Sequence, residues 1–170
     1  MTQPGVEEYG EPCRECGYSW SHSFDELIAL HKRVHAGFDK TVRAHTYGAR
    51  IDELAWSVGE YICHVADNES IWVERFTGLP AMAEPRVAPY DQDALAAARH
   101  YPEIPFESAM GAMRRARAAF VSAAYMTPQE LTFFHPEPGA ITVLDALRLA
   151  IHDSHHHLWD VRRITGAASG

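Results

Sequence analysis

A chain of 170 residues, 46% hydrophobic and 22% charged, carries enough apolar material for a core of its own, most simply in one domain. Its net charge of −8 removes the electrostatic basis for sequence-independent nucleic-acid binding. No apolar run approaches the ~20 residues of a membrane span, and the acidic start MTQPGVEEYGEP lacks an apolar signal core. The expectation is a soluble, cytoplasmic protein with neither nucleic acid nor membrane as a partner. Three cysteines, an odd number without an export signal, argue against a disulfide framework.

Residues 1–22 read as a separate turn-rich lead-in, because Pro4, Gly5, Gly10, Pro12 and Gly17 forbid a long helix. It carries a CxxC pair, Cys13 and Cys16. Residues 23–170 read as the domain proper. Phe24, Leu27, Ile28, His31, Val34, His35, Phe38 and Val42 recur at helical spacing, and Ser23 with Glu26 forms a capping box, which predicts a first helix over 23–45. Ser57 and Glu60 open a second helix running to about Phe76, with Trp56 placed as a hydrophobic staple. Five prolines then interrupt residues 78–105, where DALAAARH suggests a short helical insert. The length of this segment suggests a crossover connection rather than a tight turn.

A third helix spans about 106–125, and the loop HPEPGA leads to a fourth, capped by Thr142 and Asp145. On this last helix Leu144, Leu147, Ile151, Leu158 and Val161 form one apolar stripe; Leu149, His152, His156 and Trp159 form another. Two stripes predict burial on more than one side. The fold expected is all-α, a four-helix bundle with a long Pro-rich crossover between its second and third helices.

The last helix packs four histidines into six residues, HDSHHH. Residues four apart share a helix face, so His152 and His156 point the same way, close enough for one metal ion. His157 is expected on the opposite face, and His155 and His157 as solvent-facing or second-shell groups. Two histidines are half a site, and a bundle completes it from a facing helix. The residues leave two candidates open: His64 on the second helix, or the His31 and His35 pair on the first.

The run WSVGEYICHVAD, from Trp56 to Asp67, together with His152-Asp153-Ser154-His155-His156, resembles the DinB-like superfamily of metal-binding four-helix bundles. That superfamily is unrelated to the DNA polymerase that shares part of its name. Its pattern is a tryptophan at the start of the second helix, a histidine eight residues on, and an HxxxH-type pair on the last helix. The resemblance covers about 23–164. It implies His64, His152 and His156 as ligands of a divalent metal (zinc, nickel or iron) in a pocket open at one end. It also implies a small-molecule substrate, a homodimer, and for some members an S-transferase or isomerase reaction using mycothiol, bacillithiol or glutathione as a low-molecular-weight thiol. Three imidazoles with an open position are the arrangement of a catalytic rather than a closed zinc site. Asp67, Asp153 and Asp160 are the nearest carboxylates for a second shell, and His31, His35 and Trp159 are candidates for the pocket wall. No residue stands out as a dedicated general base.

The CxxC leaves three readings: two reduced surface thiols, a small structural zinc site completed by His22, Cys63 or another bundle histidine, or a redox dithiol. The leading functional expectation is a metal-dependent enzyme, such as a thiol-dependent S-transferase or a hydrolase. Its rival is a non-catalytic, stress-associated metal-binding bundle whose CxxC is a second metal or redox element.

Overall fold

The computed structural model describes residues 4–166. Six α-helices are present among them: α1 (Val6–Tyr9), α2 (Phe24–Thr41), α3 (Val58–Gly78), α4 (Gln92–Ala98), α5 (Phe106–Met126) and α6 (Val143–Thr165). The four long ones, α2, α3, α5 and α6, form the bundle. Their starts follow the local chemistry expected. At α2 the Ser23 amide and hydroxyl donate to Glu26 Oε2 at 2.8 and 2.7 Å. At α3 the Ser57 amide and hydroxyl donate to Glu60 Oε2 at 2.9 and 2.6 Å, and Trp56 packs edge-on against Tyr61 at 5.5 Å as the staple. At α6 Thr142 and Asp145 repeat the arrangement. Replacing Ser57 with alanine is expected to cost about 1 kcal/mol, read as a Tm lower by roughly 2–4 °C in a protein of this size.

Helix α2 stops at Thr41 rather than near residue 45. Val42 turns extended, and the Arg43 guanidinium takes up the exposed carbonyls of Asp39 and Val42 at 3.0 and 2.8 Å.

Helix α3 packs most extensively against α5 and also against α6, while α2 packs against α6. The Thr127 hydroxyl at the end of α5 donates to the Phe76 carbonyl near the end of α3 at 3.2 Å. At the other end Cys63 and Ala66 share a hollow with Ile104 and Ala109. The two helices therefore run in the same direction, and residues 79–105 bring the chain back to the end of the bundle where α3 began. Gly37 lets α2 and α6 approach closely: a Cβ there would lie 2.5 Å from Leu158 Cδ2.

Two features differ from the sequence expectation. The stretch before α6 is not only loop, because β1 (Thr132–His135) and β2 (Gly139–Thr142) pair as an antiparallel hairpin. Four-residue strands are too short to show a pattern against their prolines, although Phe133 and His135 do alternate inward with Thr132 and Phe134 outward. The lead-in is also not a loose appendage. Tyr18 and Trp20 are among the most buried side chains, Cys13 is buried, and all three join one apolar cluster with Leu27, Trp72, Phe76 and Leu147. The Tyr18 hydroxyl donates to the Arg148 carbonyl at 3.0 Å and the Trp20 indole to the Gly10 carbonyl at 2.9 Å. Glycine and proline prevent a long helix here, but two aromatics with satisfied polar tips still drive burial. Residue 22 is thus no packing boundary.

A second apolar cluster gathers Val34, Phe38, Ile62, Val65, Met110, Met113, Leu158 and Val161. Between the two clusters lies a buried polar layer: His31 and His35 from α2, Glu69 from α3 and Ser154 from α6.

Candidate metal centre

The chemistry-bearing turn of α6 holds two residue pairs at i,i+4 spacing, His152 with His156 and Asp153 with His157. One residue step rotates about 100° around a helix, so the pairs face different neighbours. His152 and His156 face the lead-in, where their nitrogens and the sulfurs of Cys13 and Cys16 lie within 4.8 Å of one another. Asp153 and His157 face α3, where they meet His64 within the same limit. The structure therefore divides the expected grouping of His64, His152 and His156 between two clusters. His157 does lie away from His152, but that side is the one α3 covers.

In the second cluster His64 Nε2 lies 3.4 Å from Asp153 Oδ2, and His157 Nε2 lies 3.4 Å from Asp153 Oδ1. The Asn68 amide donates to Asp153 Oδ2 at 2.8 Å and accepts from the Tyr90 hydroxyl at 3.1 Å, which fixes the carboxylate. The outer nitrogen of His157, Nδ1, donates to Asp160 Oδ2 at 3.1 Å. A ring held by its outer nitrogen presents the inner one in a set direction. Trp56 tilts against His64 at 4.8 Å and Tyr61 against His157 at 4.9 Å, closing the apolar side.

Burial would raise the Asp153 carboxyl and lower the His157 imidazole, but their pairing wins in both. Beside His157 and His64 the Asp153 carboxyl is held well below the usual carboxylate range. Asp153 and Asp160 push the His157 imidazole up to about 9. His64 Nε2 is buried with no hydrogen-bond partner. An unpartnered buried nitrogen, a second imidazole anchored from behind and a clamped carboxylate make a donor set that fits zinc or a non-haem divalent iron.

Asp153, His152 and Asn68 also line a hollow of about 640 Å³, whose other walls include Tyr9, Trp72, Arg75 and Tyr90. The Arg75 guanidinium stacks on Trp72 at 4.6 Å.

The remaining sequence candidates fall elsewhere. Asp67 receives the Tyr101 hydroxyl at 2.6 Å and pairs with Arg99, tying residues 99–101 to α3 rather than orienting His64. His31 and His35 are not pocket wall: each Nε2 bonds Glu69 Oε1, at 2.8 and 2.6 Å, inside the polar layer. Trp159 lies edge-on to His156 at 5.4 Å, under the Arg163 guanidinium, and does not line the hollow. Cys13 and Cys16 are not surface thiols, since Cys13 is buried and Cys16 half-buried; burial pushes the Cys16 thiol up, away from the reactive thiolate a redox dithiol needs. The sequence reading did not single out Asn68, Glu69 or Tyr90, and it took Asp153 and His157 as second-shell or solvent-facing groups, whereas the structure brings both to His64. A carboxylate and a histidine four apart, offset by one residue from the histidine pair, were the signal available.

Several solved structures share this fold at low identity. One is YfiT from Bacillus subtilis, described as a probable metal-dependent hydrolase with an unusual four-helix bundle topology; it is 19% identical, over 86% of this chain and 90% of its own, with a TM-score of 0.74. Another is a mycothiol-dependent maleylpyruvate isomerase, 13% identical over 82% of this chain, with a TM-score of 0.67; the match spans only 61% of the isomerase's length. A histidine-to-alanine mutant of that isomerase matches at 12% identity over the same shares of the two chains, with a TM-score of 0.66. No curated protein matches the chain significantly. The family model described as the DinB superfamily matches residues 44–161, a span that holds His64, His152, Asp153, His156 and His157 but not Cys13 or Cys16. The chain belongs to the DinB superfamily.

Proposed function

We propose that this protein is a metal-dependent enzyme whose divalent cation is held by His64, Asp153 and His157, acting on a small electrophilic substrate in the adjoining hollow. The observation that carries this reading is the convergence of two imidazoles and a carboxylate within 4.8 Å, with Asp153 on the wall of a 640 Å³ hollow. When bound, the cation would lower the pKa of a low-molecular-weight thiol or a water at its open position, giving a nucleophile near neutrality. The chain's own residues do the positioning. Asn68 and Tyr90 fix the carboxylate, Asp160 fixes His157, and Trp56 and Tyr61 keep water from the apolar side of both rings. The similar structures suggest the two chemistries to try first, hydrolysis from YfiT and a mycothiol-dependent reaction from the isomerase. The reading includes a homodimer, whose mass sedimentation reads directly.

The test pairs metal analysis with two assays on the same preparation: conjugation of a generic electrophile by mycothiol, bacillithiol or glutathione, and hydrolysis of activated esters. A rate in either assay that chelation abolishes and metal restores supports the proposal. No metal-dependent rate in both assays would overturn it in favour of a non-catalytic bundle.

Metal affinity should also depend on pH with a definite sign. Because His157 keeps its proton up to about 9 in the metal-free fold, the metal must displace that proton at neutrality. Apparent affinity is expected to fall about tenfold for each pH unit below 9, measured by competition against a chelator of known protonation. A flat profile between pH 6.5 and 8.5 would remove His157 from the ligand set.

A further inference from the structure

We propose that Cys13, Cys16, His152 and His156 form a second, closed metal site, a tetrahedral zinc centre that staples the N-terminal segment to α6. It lies on another face of the same helix from the first centre, with His152 and Asp153 both bordering the hollow, and does not depend on the reading given to His64, Asp153 and His157.

The four donors come from two segments more than 130 residues apart, yet their ligating atoms lie within 4.8 Å of one another. Tetrahedral zinc with bonds near 2.3 Å to sulfur and 2.0–2.1 Å to nitrogen spaces its donors roughly 3.3–3.8 Å apart. The Cys13 Sγ to His156 Nδ1 separation, 4.0 Å, is already close to that. The backbone has the form of a knuckle. The Cys13 amide donates to the Tyr18 carbonyl at 2.8 Å and the Gly17 amide to the Cys13 carbonyl at 3.0 Å, while Gly17 adopts φ +73°, where a side chain would be strained.

Two further observations point to a ligand, the first independent of the cysteines. His152 Nε2 is buried with no hydrogen-bond partner, in a ring enclosed by Tyr9, Tyr18 and Trp20 at 4.7, 5.1 and 4.5 Å. His156 turns Nδ1 to Cys13 and its outer nitrogen, Nε2, to the Glu15 carboxylate at 3.3 Å. That is the carboxylate–histidine–metal arrangement, with the carboxylate supplied from inside the CxxC itself. Two thiolates and two imidazoles complete a four-coordinate shell, which makes the site structural and leaves no position for substrate.

The consequence reaches the hollow. Glu8 and Tyr9 belong to its wall, and the Tyr9 carbonyl accepts from the Arg14 amide within the knuckle at 2.9 Å. Metal at the four-ligand site would hold that wall in place.

Sulfur separates this centre from the first, which has none. The full chain loaded with cobalt(II) should show a thiolate-to-cobalt charge-transfer band and the intense visible bands of a tetrahedral site. The band is expected to weaken in Cys13→Ser and in Cys16→Ser, to vanish when both are replaced, and to persist in Cys63→Ser and His157→Ala. A folded wild-type protein without the band, or a Cys13–Cys16 disulfide in the freshly purified protein, would overturn the proposal. Should the cysteine variants fail to fold, titrating thiols of the wild-type protein with a mercurial serves instead: one zinc released as two thiols react supports the site, and thiols that react without releasing zinc refute it.

Discussion

Replacing His157 with alanine is expected to weaken metal binding beside the hollow by more than about 100-fold, since even the loss of an outer-shell partner costs 10–100-fold. Any metal-dependent turnover should go with it. The effect is large because His157 links Asp153 on one side and Asp160 on the other. Its loss leaves Asp153 with only His64 and the Asn68 amide. The fold should survive, since Asp160 keeps Arg163 nearby at 3.6 Å. Metal titration of His157→Ala beside His152→Ala decides the assignment. His157→Ala should lose the sulfur-free site alone, and His152→Ala the sulfur-containing one alone. If His152→Ala instead removed the sulfur-free site and His157→Ala did not, the grouping would revert to His64 with His152 and His156.

The second large effect concerns stability. Glu69→Ala is expected to cost about 3 kcal/mol or more, since removing the carboxylate leaves several buried donors unsatisfied at roughly 1–3 kcal/mol each. Glu69 Oε1 accepts from His31, His35 and the Ser154 hydroxyl, and its loss leaves three polar groups in a dry layer. The same layer makes the protein acid-sensitive. Burial would raise the Glu69 carboxyl, but the hydrogen bonds from His31 and His35 hold it down at about 2. The stability it confers is therefore full above about 4.5, its ordinary value, and is lost as pH falls towards 2. Burial lowers the His35 imidazole, so the unfolded chain takes up that proton first, from about 6.5 downward. Urea midpoints at pH 7, 5 and 3.5 should fall in that order, and Glu69→Gln should flatten the step below 4.5. Midpoints that do not move between pH 7 and 3.5 would contradict this account of the layer.

What was legible in the sequence was what is local. The capping boxes at Ser23, Ser57 and Thr142 and the Trp56 staple depend on residues three to five apart, and each forms as spaced. The bundle, and the family resemblance built on Trp56 and His64, followed from the same range. The two donor clusters did not. His152 with His156 and Asp153 with His157 are equivalent by spacing, and only the positions of α3 and the lead-in decide which pair meets which partner. Glu69 lies five residues after His64, on another side of α3, and acquires its role only when α2 presents His31 and His35. The depth of Tyr18 and Trp20 was hidden because prolines and glycines around them signal turns, and turns carry no periodicity that reports burial.

Cys13 and His156 are 143 residues apart, and His64, Glu69, Tyr18 and Cys13 all finish their contacts on α6. A chain made at about 5–20 residues per second exposes its cysteines and the α3 histidine for on the order of ten seconds before α6 exists. A metal held at either proposed site would therefore be loaded only after α6 is made, and until that moment the thiols and imidazoles are open to whichever ion the surroundings offer. Ordering by sequence separation thus makes α6 the element whose arrival closes both the fold and the two proposed sites.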